Sequence, residues 1–220
     1  MRRLLPEPVP SVTVVEAYGE PRPRTGGRPT VGMCMVASID GSTVVDGRST
    51  ALSSPADRDV LLGLRAAADV VLVGAETVRR EGYGPPSKAG LRVGVVSRSG
   101  SVDVTAPLFA SGAGFLVLPE DAPQVAVPSV RAGRGTVDLA RALTMIEGTF
   151  VQLEGGARLN AAMLEADVVD EINLTVSPVV VGGTGPRLAD GAPDMDRRFT
   201  LAQVCEEDGF LFLRYRRTGR

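Results

Sequence analysis

The sequence predicts an α/β domain with a mostly parallel central sheet that ends in an antiparallel C-terminal hairpin. Between residues 30 and 176, short apolar runs of strand length alternate with segments of amphipathic, helical spacing. Polar residues and glycines follow several of these runs, as they do where parallel strands lead into helices. Near the end of the chain, Asp208-Gly209 separates two further strand-like runs, a pattern typical of a β-hairpin.

The composition excludes several classes of protein. With 44% hydrophobic and 23% charged residues in a chain of 220, the sequence is that of a globular domain with a sizeable core, not of a disordered chain or a coiled coil. The net charge of −2 argues against nucleic acid as a partner. Histidine is absent, which excludes a Ser-His-Asp hydrolase and a His-ligated zinc site, so we expect no bound metal.

The cysteines and the lengths of the apolar runs indicate the cellular compartment of the protein. Cys34 and Cys205 are far apart and are predicted to be buried apolar residues, not a disulfide or a redox motif. No apolar run approaches the roughly 20 residues that a membrane helix needs. Prolines interrupt the first apolar run after two leucines, which is unlike a secretion signal. We therefore expect a cytoplasmic protein with no membrane partner.

Residues 1–29 are predicted to form an extended N-terminal arm, and residues 30–220 to form the folded domain. The arm holds six of the sixteen prolines of the chain, which disfavour regular structure there. Regular structure is expected to start near Thr30, with a strand over residues 31–39 that ends at the turn dipeptide Asp40-Gly41.

Helices and buried strands are predicted to alternate from there. Ser54 followed by Pro55 is typical of a helix N-terminus, and apolar positions on one face extend this helix to about Ala68. Asp138 is predicted to cap an amphipathic helix over residues 139–146. Continuous apolar runs, which suit buried parallel strands, occur at residues 69–74, 92–97, 115–118 and 150–153.

The last part of the chain shows three further patterns. Gly155-Gly156 is predicted to lead into a helix. Ile172, Leu174 and Val176 alternate with polar residues, which predicts a strand with one covered face. The hairpin is expected to consist of residues 204–206 and 210–215.

The junction after residues 150–153 is the strongest candidate for a binding site. Glu154 follows the predicted strand directly, and Gly155 and Gly156 precede the helix. Glycines let a ligand approach the backbone, and the free amides and dipole of a helix N-terminus favour a pyrophosphate. The alternative interpretation is a tight turn with a surface glutamate, because a glycine pair is less specific than a full GxGxxG motif.

Other polar residues at strand ends have two interpretations each. Thr77 is able to hydrogen-bond a ligand or to cap a short helix. Ser97 and Arg98 suit a phosphate monoester such as an adenosine 2′-phosphate, or form a solvated turn. Asp40 either forms only a turn or orients a substrate and supplies a proton. The glycine-rich segment 182–185 lacks the Lys-Ser/Thr of a P-loop and is interpreted first as a flexible connection.

Five motifs occur in an order and spacing that match a known family over about residues 30–216. They are Ala37-Ser-Ile-Asp-Gly41, Leu64-Arg-Ala-Ala-Ala-Asp69, Val73-Gly-Ala-Glu-Thr-Val78, Glu154-Gly-Gly-Ala-Arg-Leu159, and Val169-Asp-Glu-Ile-Asn-Leu-Thr-Val-Ser-Pro178 with Val181-Gly-Gly183. Together they resemble the reductase domain of riboflavin biosynthesis, the pyrimidine reductase branch of the dihydrofolate-reductase-like fold. The segment from Thr77 to Tyr83 is similar to the stand-alone actinobacterial members.

This resemblance implies a three-layer fold, a homodimer, and NADPH-dependent reduction of 5-amino-6-(5-phosphoribosylamino)uracil to its ribityl product. Carried over by position, the cofactor contacts are Val36, Ala51, Thr77, Glu81, Ser97, Arg98, Gly155, Gly156, Ala157, Arg158 and Leu159. The contacts to the phosphorylated pyrimidine are Ser38, Ser49, Arg65 and Glu154, with Arg65 pairing the sugar phosphate. Asp40 and Glu154 are the catalytic candidates for handling the proton that accompanies the hydride.

The sequence also departs from the family pattern. Glu81 stands where the family generally has Asp, and Ala51 stands where some members carry an aromatic residue against the nicotinamide. No zinc-deaminase HxE or PCxxC signature occurs in the 220 residues. Residues 85–90 match the family pattern poorly, and Lys88 is the candidate there for a further phosphate contact. Two alternatives stay open: a reductase of another pterin- or pyrimidine-like substrate, of the dihydrofolate type, and a non-catalytic NADP-binding homologue.

Overall fold

The strands of the protein join into a single sheet in the computed structural model, which describes residues 1–218. The strands are β1 (Arg2–Leu5), β2 (Thr30–Ser38), β3 (Val70–Gly74), β4 (Arg92–Val96), β5 (Gly114–Leu118), β6 (Ser129–Arg131), β7 (Phe150–Leu153), β8 (Glu171–Ser177), β9 (Phe199–Glu207) and β10 (Phe210–Arg217). The helices are α1 (Val14–Tyr18), α2 (Pro55–Ala67), α3 (Ala75–Glu81), α4 (Pro107–Ala110), α5 (Leu139–Thr144) and α6 (Ala157–Glu165). A short 3₁₀ turn over Thr50–Leu52 precedes α2.

The sheet order confirms the predicted fold class. The strands follow one another as β1-β9-β10-β8-β2-β7-β3-β4-β5-β6. Every pair from β8 to β6 is parallel, whereas β1, β9, β10 and β8 pair antiparallel. Side chains of α1 to α4 belong to one hydrophobic core, and side chains of α5 and α6 belong to a second. The sheet therefore lies between two helical layers.

The two capped helices form where their sequence signals predict them. Ser54 accepts a hydrogen bond from the Asp57 amide (3.1 Å) at the start of α2, and Asp138 accepts one from the Arg141 amide (3.0 Å) at the start of α5. Helix α5 ends at Thr144, two residues earlier than predicted. Even α2, with 13 residues, is short, and among residues 1–218 no helix is long and apolar enough to cross a membrane.

The expectation that regular structure starts near Thr30 is wrong. Strand β1 pairs antiparallel with β9, about 200 residues away in the chain. Thr13 and Glu16 form a reciprocal capping box at the start of α1, and Tyr18 at its end is 1% exposed. Local patterns reveal neither feature, because β1 is an edge strand of four residues and α1 is held by packing on α2. The boundary between residues 29 and 30 remains a prediction.

Strand β8 is covered on both faces, not only on the predicted apolar one. On the apolar face Ile172 is buried and Leu174 packs against the second core, while the polar residues Asn173, Thr175 and Ser177 of the other face are buried as well. Glu171, at the start of the same polar face, forms a buried ion pair with Arg22 (2.9 Å). The polar face is able to be buried because hydrogen-bonding and charged partners lie opposite it. The alternation of apolar and polar residues in the sequence does not reveal these partners.

The C-terminal hairpin is confirmed. Asp208 and Gly209 both have positive φ angles (51° and 81°), as a two-residue type I′ turn requires. The paired strands β9 and β10 extend further than the predicted ranges of 204–206 and 210–215. This hairpin supplies the antiparallel half of the sheet, on the far side of β8 from the parallel strands that support the site described next.

Candidate active site

A large cleft lies at the carboxyl ends of the parallel strands. It has a volume of about 1400 Å³ and is lined by residues that follow β3, β4 and β7 and by one side of α2. Ligands of open α/β sheets bind at this edge. Because pockets for a single small ligand usually have volumes of about 300–1000 Å³, this cleft has room for a dinucleotide and a second molecule.

One wall of the cleft, the glycine ledge, consists of Gly74, Gly155 and Gly156. The Gly74 amide donates to the Gly155 carbonyl (2.6 Å), and the Gly155–Gly156 peptide bond is cis. Gly155 has a φ of +77°, and a Cβ on Gly156 would lie 2.9 Å from the Thr77 hydroxyl oxygen. Both positions therefore require glycine, and the ledge presents backbone to the cleft.

Helix α6 starts at the glycine ledge, where Gly156 is its N-cap and offers no side-chain cap. The amides of the first helical turn, at residues 157–159, have no acceptor within the helix. Four of the predicted cofactor contacts, Gly156, Ala157, Arg158 and Leu159, line the cleft, whereas Gly155 does not. The predicted strand, glycine pair and helix are thus confirmed, and the binding of an anion at this helix N-terminus stays a prediction.

The end of the cleft beyond β4 carries arginine and hydroxyl groups. Ser97 is buried and accepts a hydrogen bond from the Gly100 amide (3.1 Å), while Arg98 is exposed and lines the cleft. Arg79 of α3 also lines it and donates to the Ser101 carbonyl (3.1 Å). The sequence indicated Ser97 and Arg98 but not Arg79, which reaches this end of the cleft from a neighbouring helix.

The predicted cofactor contacts on β2, on the 3₁₀ turn and on α3 are only partly brought together. Val36, Thr77 and Glu81 line the cleft, as does Ser49. The Ser49 hydroxyl lies 3.5 Å from a Glu81 carboxylate oxygen, so the cleft narrows between them. Ala51 lies in the 3₁₀ turn, is exposed and does not line the cleft, so the structure does not place it where an aromatic residue would stack.

The middle of the cleft holds a buried carboxylate with three donors. Glu154 follows β7, and its amide donates to the Leu72 carbonyl, which continues the parallel ladder. Arg65 of α2 donates from Nε to Oε1 (2.7 Å) and from Nη2 to Oε2 (2.6 Å) of Glu154. Tyr83, just after α3, donates its hydroxyl to Oε2 (2.6 Å). The side chain of Glu154 is 3% exposed and that of Arg65 is 27% exposed.

Two groups of this cluster, Arg65 and Tyr83, hold their protons more tightly than in the free side chains. Hydrogen bonds to the carboxylate raise the pKa of Arg65 above its ordinary value. Burial, and then the charge of Glu154, raise the pKa of Tyr83. The cluster thus contains a charged guanidinium and a neutral phenol around one carboxylate, a bidentate and charge-assisted arrangement that fixes the side chains.

Cys34 also lines the cleft, below the Glu154 cluster. Burial raises the pKa of its thiol, and the carboxylates of Asp57 and Glu154 act in the same direction. A thiol that stays protonated is a poor nucleophile. The prediction of a buried cysteine is confirmed for Cys205, whereas Cys34 is half-buried at the cleft.

The structure corrects the placement of Asp40 and Ser38. The Asp40 carboxylate accepts hydrogen bonds from the Ser38 hydroxyl (2.6 Å) and from the amides of Val181 (3.0 Å) and Gly182 (2.8 Å). These bonds hold the pKa of Asp40 well below its usual value. Neither Asp40 nor Ser38 lines the cleft. Asp40 instead fastens the loop after β8 by accepting from two of its amides.

Lys88 is directed away from the cleft as well. Its ammonium group donates to the carbonyl of Ala68 at the end of α2 (2.6 Å), so it caps that helix. Sequence reasoning missed Tyr83, Arg79 and Arg58 among the residues that line the cleft. Tyr83 had no usable signal, because its partner Glu154 is 71 residues away in the chain.

Comparisons with known proteins agree with this geometry. Residues 29–209 match the family described as the RibD C-terminal domain. The chain is 30% identical over 186 residues to the 2,5-diamino-6-ribosylamino-4(3H)-pyrimidinone 5′-phosphate reductase of Methanothermobacter thermautotrophicus, which covers 74% of this chain and 85% of that protein. It is 32% identical over 158 residues to the riboflavin biosynthesis protein RibD of Mycobacterium tuberculosis, covering 71% of this chain and 44% of that protein.

Two solved structures resemble the fold. The pyrimidine reductase-like protein of Corynebacterium diphtheriae has a TM-score of 0.76 at 23% identity, with coverage of 95% of this chain and 100% of the other. The riboflavin biosynthesis reductase Rib7 of Saccharomyces cerevisiae has a TM-score of 0.67 at 17% identity, with coverage of 93% and 97%. At these identities the likeness shows the fold alone. Together with the match over residues 29–209, it completes the identification: the chain belongs to the RibD C-terminal domain family.

Proposed function

We propose that this protein reduces 5-amino-6-(5-phosphoribosylamino)uracil to its ribityl product, with NADPH as the hydride donor. One observation carries the proposal: a single cleft joins the glycine ledge to the ion pair of Arg65 and Glu154. The ledge suits the pyrophosphate of a dinucleotide, and the ion pair suits a small phosphorylated substrate. Family membership and a pyrimidinone phosphate reductase among the relatives support the same assignment.

The glycine ledge fits a dinucleotide because any side chain on Gly156 would fill the space beside Thr77. The amides of residues 156–159 would hold the pyrophosphate. Thr77 and Glu81 would contact the adjoining ribose, and Ser97 with Arg98 the adenosine end. Val36 would line the nicotinamide side. When bound, the nicotinamide supplies the hydride, and the protein orients the two reactants.

Arg65 and Ser49 are the proposed ligands of the substrate phosphate. Arg65 uses Nε and Nη2 on Glu154, and a guanidinium has further N–H groups with which to bind an anion. Ser49 lines the same part of the cleft. Fixing the phosphate at one end and the ribosylamine at the other would hold C1′ in place for hydride transfer, which is a large source of rate acceleration.

Glu154 is the catalytic candidate that the geometry retains. Its carboxylate oxygens pair with the Arg65 guanidinium and act as hydrogen-bond acceptors. An acceptor at this point is able to hold the N–H of the ribosylamine, or to take its proton as the sugar ring opens to an imine. Asp40, held outside the cleft, is not carried into the proposed mechanism.

The test is oxidation of NADPH, followed by loss of the absorbance of the reduced nicotinamide. We expect turnover with the aminouracil ribotide and none with dihydrofolate. The 2,5-diaminopyrimidinone ribotide is assayed in parallel, because the Methanothermobacter relative is named for it. Turnover with dihydrofolate alone would favour a pterin reductase. Tight NADPH binding without oxidation of any acceptor would favour a non-catalytic homologue, for which Ala51 and Glu81 are the supporting features.

We also propose that the enzyme is a cytoplasmic homodimer. Cys34 and Cys205 are both free, as is usual in a reducing compartment. Ile39 and Val180 are 64% and 72% exposed and lie in adjoining segments, since the Ile39 amide donates to the Val179 carbonyl. Exposed apolar groups of this kind often mark association surfaces. Light scattering of the purified protein tests the assembly, and a mass of 23.0 kDa in solution would contradict it.

A further inference from the structure

The hydroxyl of Tyr83 donates a hydrogen bond to Glu154, and the proposed cofactor and substrate contacts assign this bond no role. We propose that Tyr83 is a positioning residue, which occupies one carboxylate oxygen of Glu154 so that only the other oxygen, Oε1, receives a donor from the substrate. The inference deepens the proposed function and rests on it. It follows from counting the hydrogen bonds in the cluster, from the burial of Glu154 and from the way the chain places the tyrosine.

The acceptor positions of Glu154 are almost all used. A carboxylate oxygen has two lone pairs in the plane of the group. Oε2 accepts from Arg65 Nη2 and from the Tyr83 hydroxyl, whereas Oε1 accepts from Arg65 Nε alone. One in-plane position therefore remains, and it is on Oε1. A substrate N–H or O–H approaching Glu154 has a single defined place to bind.

Tyr83 also restricts Arg65 from a second direction. The Arg65 guanidinium carbon lies 5.5 Å from the centre of the Tyr83 ring, within the range of a cation–π contact. The guanidinium is thus held by the carboxylate at one edge and by the ring at its face. Two of the five N–H groups of Arg65 donate to Glu154, so three remain to bind the substrate phosphate.

The end of α3 positions Tyr83 beside Glu154. Gly82 adopts a left-handed conformation (φ +67°), and its amide closes the helix on the Val78 carbonyl. The tyrosine ring then packs against the hydrophobic core on that side of the sheet. The hydroxyl of this half-buried tyrosine has a partner in the carboxylate of Glu154. The contact is thus set by the fold and not by a flexible side chain.

Loss of the hydroxyl leaves Oε2 of a buried carboxylate short of one donor. Such a group either turns to find another donor or draws water into the cleft, and in both cases Oε1 loses its fixed direction. Tyr83→Phe removes the hydroxyl but keeps the ring beneath Arg65. Tyr215→Phe is the matched control, because Tyr215 lies on β10, outside the cleft.

The kinetic test measures kcat and KM for the aminouracil ribotide and the dissociation constant of NADPH. We expect Y83F to lower kcat/KM by about 10-fold or more, as loss of a hydrogen bond to a charged group does. The dissociation constant of NADPH should change less than about twofold, and Y215F should behave as the parent. An unchanged kcat/KM in folded Y83F would overturn the proposal.

A double-mutant cycle separates positioning from direct contact with the substrate. If Tyr83 acts through the Glu154 carboxylate, Y83F should cost little further activity once Glu154→Gln has removed the charge. The double variant should then match E154Q within about twofold. Multiplicative losses would mean that Tyr83 touches the substrate itself, which contradicts the positioning role.

A spectroscopic measurement tests the contact without catalysis. The chain has three tyrosines, so labelling their ζ-carbons with ¹³C produces three NMR signals, and Y83F identifies that of Tyr83. In E154Q the Tyr83 signal should shift and titrate at lower pH, because the carboxylate contributes to the raised pKa of Tyr83. An unmoved signal would overturn the pairing. A parent protein that turns over no ribotide would refute the proposed function, while this comparison still decides the pairing.

Discussion

The two ends of the cleft present different groups to a ligand: backbone at one end and charged side chains at the other. At the cofactor end, Gly155 and Gly156 are adjacent in the chain, and the binding surface consists of backbone left bare of side chains. At the substrate end, Arg65 and Glu154 are 89 residues apart, and the binding surface consists of charged side chains from separate elements. Substitutions that add a side chain should therefore weaken binding at the first end, and substitutions that remove a side chain should weaken binding at the second.

The largest effect is expected from adding atoms to the glycine ledge. Gly156→Val places a Cβ 2.9 Å from the Thr77 hydroxyl oxygen and fills the space before α6. We expect NADPH affinity to fall by at least about 100-fold, because close-packed sites tolerate extra atoms poorly. Isothermal titration calorimetry measures the affinity, and thermal unfolding shows whether the variant is folded. A folded variant that keeps its NADPH affinity would refute the assignment of the ledge to pyrophosphate.

Removing the Arg65 guanidinium from the substrate end should weaken binding of the ribotide and leave NADPH binding nearly unchanged. Arg65→Ala removes two of the three hydrogen bonds that the buried Glu154 carboxylate accepts, and it also removes the proposed phosphate ligand. We expect KM for the ribotide to rise about 30-fold or more, as loss of a desolvated charge pair does, with the NADPH dissociation constant within about threefold. Arg141→Ala, which breaks an exposed ion pair with Glu120, is the control. Equal losses for both ligands would place Arg65 between the two subsites.

A smaller effect is expected at the adenosine end, where side chains supplement the backbone. Arg98 is exposed and has no acidic partner among the ion pairs of residues 1–218. Arg98→Ala should reduce the preference for NADPH over NADH by about 10-fold. The reduction should diminish at high salt because an exposed charge is screened. Michaelis constants for both cofactors at two ionic strengths measure it, and an unchanged preference would remove Arg98 from the 2′-phosphate site.

The smallest effect on activity is expected from Asp40→Asn, which tests whether Asp40 belongs to the substrate end at all. Activity should stay within about threefold of the parent, because Asp40 fastens the loop after β8 and does not line the cleft. A loss of more than about 100-fold in a stable variant, as is usual when a proton-transfer residue is removed, would return Asp40 to the catalytic machinery.

The same variant has a defined pH dependence of stability. Hydrogen bonds lower the pKa of Asp40 in the folded protein, so its stabilising contribution is complete above the unfolded value of about 3.9. That contribution is lost as the pH falls through the lower, folded-state pKa. The melting temperature of Asp40→Asn should therefore lie below that of the parent at pH 6, and the difference should begin to narrow below about pH 4 and keep narrowing as the pH falls further.

Local signals predicted most of the fold. The capping residues Ser54 and Asp138, the apolar runs and the Asp208-Gly209 turn act over a few residues, and their elements formed within a few residues of the predicted limits. Strand β1 and the buried polar face of β8 escaped prediction. Both depend on partners distant in the chain: β9 for β1, and Arg22 for Glu171 at the start of that polar face.

The candidate site divides in the same way. The sequence by itself determined the strand, glycine pair and helix after residue 150, because bare backbone at a helix start is a local property. Only the tertiary structure decided which carboxylate faces the cleft. Asp40 and Glu154 both follow strands, yet Asp40 is turned to loop amides while Glu154 meets Arg65 and Tyr83. The chemistry of an acid depends on its donors, and folding alone brings those donors together.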